Sequence, residues 1–177
     1  MQSGIARGLA SLSMTWVGKL GQEKQDIALS TRRHSAAHVM AQALIEIFPG
    51  ADLAIGPDID NGFYYDVSVD RAILPEDLKE IENRMQRIVK ARQKFERFYL
   101  PAAEALDYLQ ERGQKYKLEM ARDFIARGEE RLSFYRNLDR KGGEVFVDMC
   151  DGPHVEHTGE IGHFKLTSVA GAYWRGG

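Results

Sequence analysis

A single cysteine in 177 residues leaves no partner for an internal disulfide, so packing and hydrogen bonding alone must hold the fold, as suits a reducing compartment. No apolar run approaches the roughly 20 residues that cross a bilayer as a helix. The charged start, apolar centre and small-residue cleavage site of a secretory leader are also missing. A cytoplasmic protein with no membrane role is expected. An excess of one charge is lacking too: 24 Lys and Arg stand against 26 Asp and Glu, a net charge of −2. The molecule as a whole is therefore no polycation, and any nucleic-acid face must be local. Internal repeats, heptads and low-complexity tracts are absent.

What remains is enough for one well-buried core. Residues 1–25 mix Gly, Ser and scattered apolar residues without a sustained period, and read as a tail or short adaptor helix. Residues 26–177 read as one domain. From Ile27 to Phe48 the pattern is helical, with Pro49-Gly50 as the stop. His34, His38, Ala41, Ile45 and Phe48 recur at three and four residues, which turns both histidines inward. Residues 53–67 read as two short strands around an Asn61-Gly62 hairpin signal. Pro75 opens a long helix with Leu78, Ile81, Met85 and Ile88 as its buried stripe. A second helix runs from Pro101 to Gly113. Gln114–Lys117 is a connector before a third helix near Leu118–Arg127. RLSFYRN, GGEVFVDMC and HFKLTSVAGAYW have the β-branched and aromatic content of strands. The fold class is α+β, an antiparallel sheet flanked by helices.

Two residue pairs carry chemistry. His34 and His38 lie one helical turn apart, so both imidazoles can approach one point. Cys150 and His154 are joined by Asp-Gly-Pro, whose bend lets both side chains converge. Either pair alone is unremarkable: histidines are often partly buried, and a thiol beside a turn is usually just packed. Together they form a three-His, one-Cys set that matches tetrahedral zinc, a water-binding pocket or a buried cluster. His157 and His163 fall outside this spacing and read as loop or surface residues. Asp148 precedes Cys150 by two residues and so shares its strand face.

RHSAAHVMAQAL, IGPDIDNGFYYD, Tyr116-Lys117, VDMCDGPH and FKLTSVAGAYWRG occur in one order. Over Thr31–Gly176 this combination resembles the editing domain of threonyl-tRNA synthetase. Alanyl-tRNA synthetases and their free-standing editing relatives share the two pairs and a stretch like HTGEIGHFKL, but lack IGPDIDNGFYYD and AGAYWRG. The resemblance implies an aminoacyl-tRNA ester hydrolase that removes serine from mischarged tRNA(Thr) and spares threonyl-tRNA. It also implies a domain that is normally joined covalently to aminoacylation and anticodon-binding domains, neither of which is expected within these 177 residues.

A synthetase meeting serine in place of threonine gains only roughly 1 to 3 kcal/mol of discrimination from one missing methyl. A hydrolytic second sieve answers that shortfall. Under this resemblance His34 orients or deprotonates the water, and Lys117 holds the water or the developing negative charge. Asp148 binds the serine ammonium, and Tyr65 offers its hydroxyl to substrate. His38, Cys150 and His154 shape and polarise the pocket. Alanyl relatives place a metal at matching positions, whereas the threonyl family is taken to edit without one, so no cofactor is expected. Were zinc bound, its ligands would be His34, His38, Cys150 and His154. Arg84, Arg87, Lys90, Arg92, Lys94 and Arg97 concentrate charge on the long helix as a candidate tRNA face, interrupted by Glu80, Glu82 and Glu96. Two other functions remain open: a zinc-binding structural module, and a non-catalytic tRNA or aminoacyl-binding protein.

Overall fold

The computed structural model describes residues 9–15, 22–56, 58–59 and 62–172. Two antiparallel sheets share one central helix. The first sheet is built from β1 (Leu9–Thr15), β2 (Asp52–Leu53), β3 (Asp58–Ile59), β4 (Gly62–Ser68) and β8 (Lys165–Ala172), in the order β2-β4-β1-β8 with β3 also on β4. The second runs β5-β6-β7, from β5 (Lys94–Pro101), β6 (Arg131–Leu138) and β7 (Glu144–Met149). The helices are α1 (Gln22–Ile47), α2 (Asp77–Ala91), α3 (Ala102–Glu111) and α4 (Lys115–Ala126). The α+β class expected from the sequence is observed.

The core helix is α1. Ser35 through Leu44 are all buried, because α1 is covered by α2, by β4 and by the three-stranded sheet. Ile81, Met85 and Ile88 are the buried stripe of α2, as its period predicts. Strand alternation then divides the three-stranded sheet. Phe95, Tyr135 and Phe146 point from one face into the core around α1. Leu132, Phe134 and Met149 point from the other into a second core with Ala105 and Leu109 of α3 and Ala121 of α4.

Four local expectations change. Residues 9–15 are not part of an adaptor helix: they form β1, paired antiparallel to both β4 and β8. LASLSMT has alternate apolar residues, a strand period too short to stand out beside the flanking glycines. The long helix ends at Ala91, since Arg92 takes a left-handed φ of 51°. Lys94 and Arg97 therefore sit on β5, where Phe95, Arg97 and Tyr99 alternate, and do not extend a helical charge stripe. Gln114–Lys117 is no connector, because α4 starts at Lys115. Gln114 makes no side-chain cap; its Oε1 accepts from Leu53 N at 3.0 Å instead, so the usual N-terminal signal is absent. The hairpin pairs Ile59 with Gly62, closing one residue before Asn61-Gly62; Asn61 lies outside the described residues.

Candidate active site

The cavity lies where α1, α4 and the β6–β7 pair meet. It has a volume of about 260 Å³. His34, His38, Tyr65, Lys117, Asp148 and Cys150 line it, so six of the seven sequence-predicted site residues come together. The seventh, His154, packs behind Cys150 and does not reach the wall. They arrive from four elements and a loop: the histidines from successive turns of α1, Tyr65 from β4, Lys117 from the first turn of α4, Asp148 from β7, and Cys150 from the segment just after it. Met120, Phe124 and Leu132 make the apolar side.

The charged wall is a buried pair with one shared oxygen. Lys117 Nζ lies 3.3 Å from Asp148 Oδ2, with both side chains 6% exposed. Tyr65 donates its hydroxyl hydrogen to the same oxygen at 2.8 Å. Lys117 also donates to Met149 O at 3.1 Å. Of its three N–H donors, one is committed to Met149 O, and the ammonium lines the cavity beside the Asp148 carboxylate. Burial, first, and the Asp148 charge, second, push the Tyr65 hydroxyl well above its ordinary range, so it remains a hydrogen donor. Gly56 lets the Tyr65 ring occupy this place, for a Cβ at that position would run into the ring.

The neutral wall has its protons fixed by neighbours. Ser35 donates its single hydroxyl hydrogen to Thr31 O at 2.8 Å. Its oxygen must then accept from Val155 N and from His154 Nδ1, both at 3.0 Å. His154 is therefore protonated on Nδ1, and its Nε2 lone pair faces Cys150 Sγ at 3.4 Å. His34 Nε2 approaches the same sulfur at 3.2 Å. Burial, the largest influence, raises the Cys150 thiol to about 12, with Asp148 acting in the same direction. Cys150 is thus a thiol, not a thiolate nucleophile. Burial also holds His154 well below the usual imidazole range, reinforced by His38 and His34.

His38 is fixed from behind. Asn137 donates through Nδ2 to Gln93 Oε1 at 3.1 Å and to Gln42 Oε1 at 3.4 Å, which orients its Oδ1 to accept from His38 Nε2 at 2.7 Å. Burial lowers His38 to about 4, so it is neutral near pH 7 with its lone pair on Nδ1. The donor atoms of His34, Cys150 and His154 lie within 4.8 Å of one another, but His38 Nε2 is turned onto Asn137. Among the described residues three candidate donors converge, and the Nδ1 atom of His38, buried without a hydrogen-bond partner, stands outside that group.

Sequence reasoning missed Ser35, Asn137, Gln42 and Gln93. One signal was present: Ser133, Tyr135 and Asn137 alternate along a strand whose other positions are mostly apolar, a polar row on one face. His163 is exposed as expected. His157 is instead half-buried; its Nε2 lies 3.0 Å from Arg92 Nη2, and it caps the turn at Thr158–Glu160.

Residues 134–175 match the family model described as the threonyl and alanyl tRNA synthetase second additional domain. The threonine--tRNA ligase of Acetivibrio thermocellus is 50% identical over 144 residues, covering 81% of this chain and 21% of that protein. That of Clostridioides difficile is 48% identical over 144 residues, with the same coverage of both. That of Bifidobacterium longum strain DJO10A is 47% identical over 157 residues, covering 84% of this chain and 23% of that one. Residues 134–175 thus match the second additional domain of threonyl and alanyl tRNA synthetases, and over about four-fifths of its length the chain is similar to threonine--tRNA ligases. Of the two, the sequence matches the threonyl-tRNA synthetases, as the motif order predicts. It spans about a fifth of the length of the curated relatives it matches. Among the described residues, no helix is long and apolar enough to cross a membrane.

Proposed function

We propose that this cavity hydrolyses the ester of seryl-tRNA(Thr) in the cytoplasm, correcting mischarging by a threonyl-tRNA synthetase. The supporting observation is the buried Lys117–Asp148–Tyr65 cluster facing His34 across one cavity. An aminoacyl ester is already activated, so the protein needs to place a water, take its proton and stabilise an oxyanion. The Lys117 ammonium, which lines the cavity, holds the water or the oxyanion. Asp148 offers its carboxylate to the serine ammonium. His34 receives the proton as the water oxygen bonds to the carbonyl carbon. That proton passes to the ribose oxygen when the ester C–O bond breaks, releasing serine and tRNA. Lys117 supplies fixed positive charge at this wall, so the reaction is written without a metal.

Purified protein is expected to release serine from seryl-tRNA(Thr), with the activity lost in Lys117→Ala and His34→Ala. Wild-type protein inactive on that ester would overturn the reading. A second reading, a zinc-binding structural module, draws on the convergence of His34, Cys150 and His154. It requires stoichiometric zinc by elemental analysis and unfolding by a chelator.

A further inference from the structure

The cavity-facing side of the three-stranded sheet continues past the cavity into solvent. Across β5 and β6, Arg97 is opposite Tyr135, Tyr99 opposite Ser133, and Pro101 opposite Arg131; all share the face that carries Asp148. Ser133 lines the cavity and accepts from Arg97 Nε at 2.9 Å. Arg97 also donates to the backbone oxygen of Asp151 at the rim. From there Arg97 Cζ lies 5.3 Å from the Tyr99 ring centroid, and Arg131 Cζ lies 4.4 Å from it on the next strand. Tyr99 is 44% exposed. The result is an exposed phenol between two guanidinium groups, leading directly out of the cavity.

Carboxylates compensate several of the other basic residues. On the opposite face, Arg136 is paired with both Glu96 and Glu144. On α2, Arg84 is paired with Glu46 at 3.1 Å, and Lys79, Arg84 and Arg87 share their surface with Glu76 and Glu80. Among the described residues, Arg97 and Arg131 form no ion pair. Uncompensated guanidinium groups interleaved with an exposed aromatic ring are the composition of a single-stranded RNA platform, where the rings take base stacking and the charges take phosphate.

We infer that Arg97, Tyr99 and Arg131 form the track for the single-stranded 3′ end of the RNA whose acylated terminus enters the cavity. This rests on the proposed ester hydrolysis for its direction, but the RNA contact is separable from it. The test uses the full chain with Tyr99→Ala, Arg131→Gln and, as a control in the exposed turn after β6, Arg140→Gln. Two readouts are needed: binding of a short labelled single-stranded RNA ending in CCA, and hydrolysis of seryl-tRNA(Thr) compared with a seryl ester of adenosine.

Tyr99→Ala is expected to weaken RNA binding roughly tenfold, the scale of one lost base–aromatic stack. Arg131→Gln is expected to reduce the slope of log affinity against log salt by about 0.7, one phosphate contact to a single strand. Both should raise KM for seryl-tRNA while leaving kcat and hydrolysis of the adenosine ester unchanged, and Arg140→Gln should change neither readout. RNA binding that depends on Tyr99 and Arg131 without hydrolysis of either ester would remove the proposed function and leave the track standing. Wild-type protein that fails to bind the RNA, or variants that bind it as wild type does, would overturn the track. Equal loss on both esters would also overturn it, by showing a structural effect on the cavity.

Discussion

Tyr65 donates a 2.8 Å hydrogen bond to the Asp148 oxygen that also faces Lys117, and so ties the five-stranded sheet to the three-stranded sheet through one buried carboxylate. Removing the hydroxyl in Tyr65→Phe leaves the ring in place and takes away a donor to a charged acceptor, a bond worth about 1.5 to 3 kcal/mol. A fall in denaturation free energy of that size is expected, together with slower deacylation as Asp148 loses its fixed orientation. Denaturant titration and single-turnover hydrolysis on the same preparation check both. Unchanged hydrolysis would remove Tyr65 from the site.

The Lys117–Asp148 pair separates stability from catalysis. Lys117→Ala leaves a buried carboxylate without its cation, and breaking such pairs costs about 3 to 5 kcal/mol. The double variant Lys117→Met with Asp148→Leu removes both charges and is expected to recover most of that stability. Hydrolysis should remain absent in both. Activity that returned with stability would show that Lys117 is a packing residue.

Low pH should destabilise the fold through its buried imidazoles. Burial lowers His38 from the ordinary 6.5 to about 4, and His154 shifts in the same direction. The unfolded chain therefore binds more protons than the folded one between these values. The His38 contribution is fully present above pH 6.5 and is lost as pH falls through 4. It amounts to on the order of 3 kcal/mol, because one pKa unit is worth about 1.4 kcal/mol. Unfolding free energies measured from pH 7 to pH 4 should decline, and His38→Gln should flatten the decline. A steeper slope in that variant would contradict the assigned neutral His38.

Cys150 faces two imidazoles, an arrangement often associated with a nucleophilic thiolate, yet its thiol is pushed up to about 12 by burial. Slow alkylation of the folded protein by iodoacetamide at pH 7.5 is expected, with full alkylation in denaturant. Hydrolysis should show no covalent intermediate on sulfur by mass spectrometry, and Cys150→Ala should retain turnover. Rapid alkylation of the folded protein would reverse this assignment.

How far the sequence could be read depended on whether a signal was local. The spacing of His34 and His38, and the turn between Cys150 and His154, are local, and their meeting followed from the motif order. Lys117 was legible only through its resemblance to a known motif, since its helix begins without a capping side chain. Asn137, Gln42 and Gln93 come from three separate elements, and no spacing within one segment joins them. The strand at residues 9–15 acquires its meaning from pairing with β4 and β8, contacts that local composition does not encode. Gly56 belongs to the same class: its need to be glycine comes from the Tyr65 ring packed against it.

Gly56→Ala places a methyl where that ring lies and is expected to destabilise by about 1 to 3 kcal/mol through overpacking. Because the ring carries the hydroxyl bound to Asp148, slower hydrolysis should accompany the loss of stability. Combining it with Tyr65→Phe tests the shared cause: the two effects on hydrolysis should be less than additive. Independent, additive effects would show that Gly56 acts by another route.

The cavity as proposed hydrolyses the wrong ester and spares the right one. Single-turnover deacylation of seryl-tRNA(Thr) and threonyl-tRNA(Thr) by the purified chain, under identical salt and pH, tests it most directly. Seryl-tRNA should be cleared at least roughly tenfold faster, the discrimination available from one methyl group. Equal rates for the two esters, or no hydrolysis of either, would contradict it.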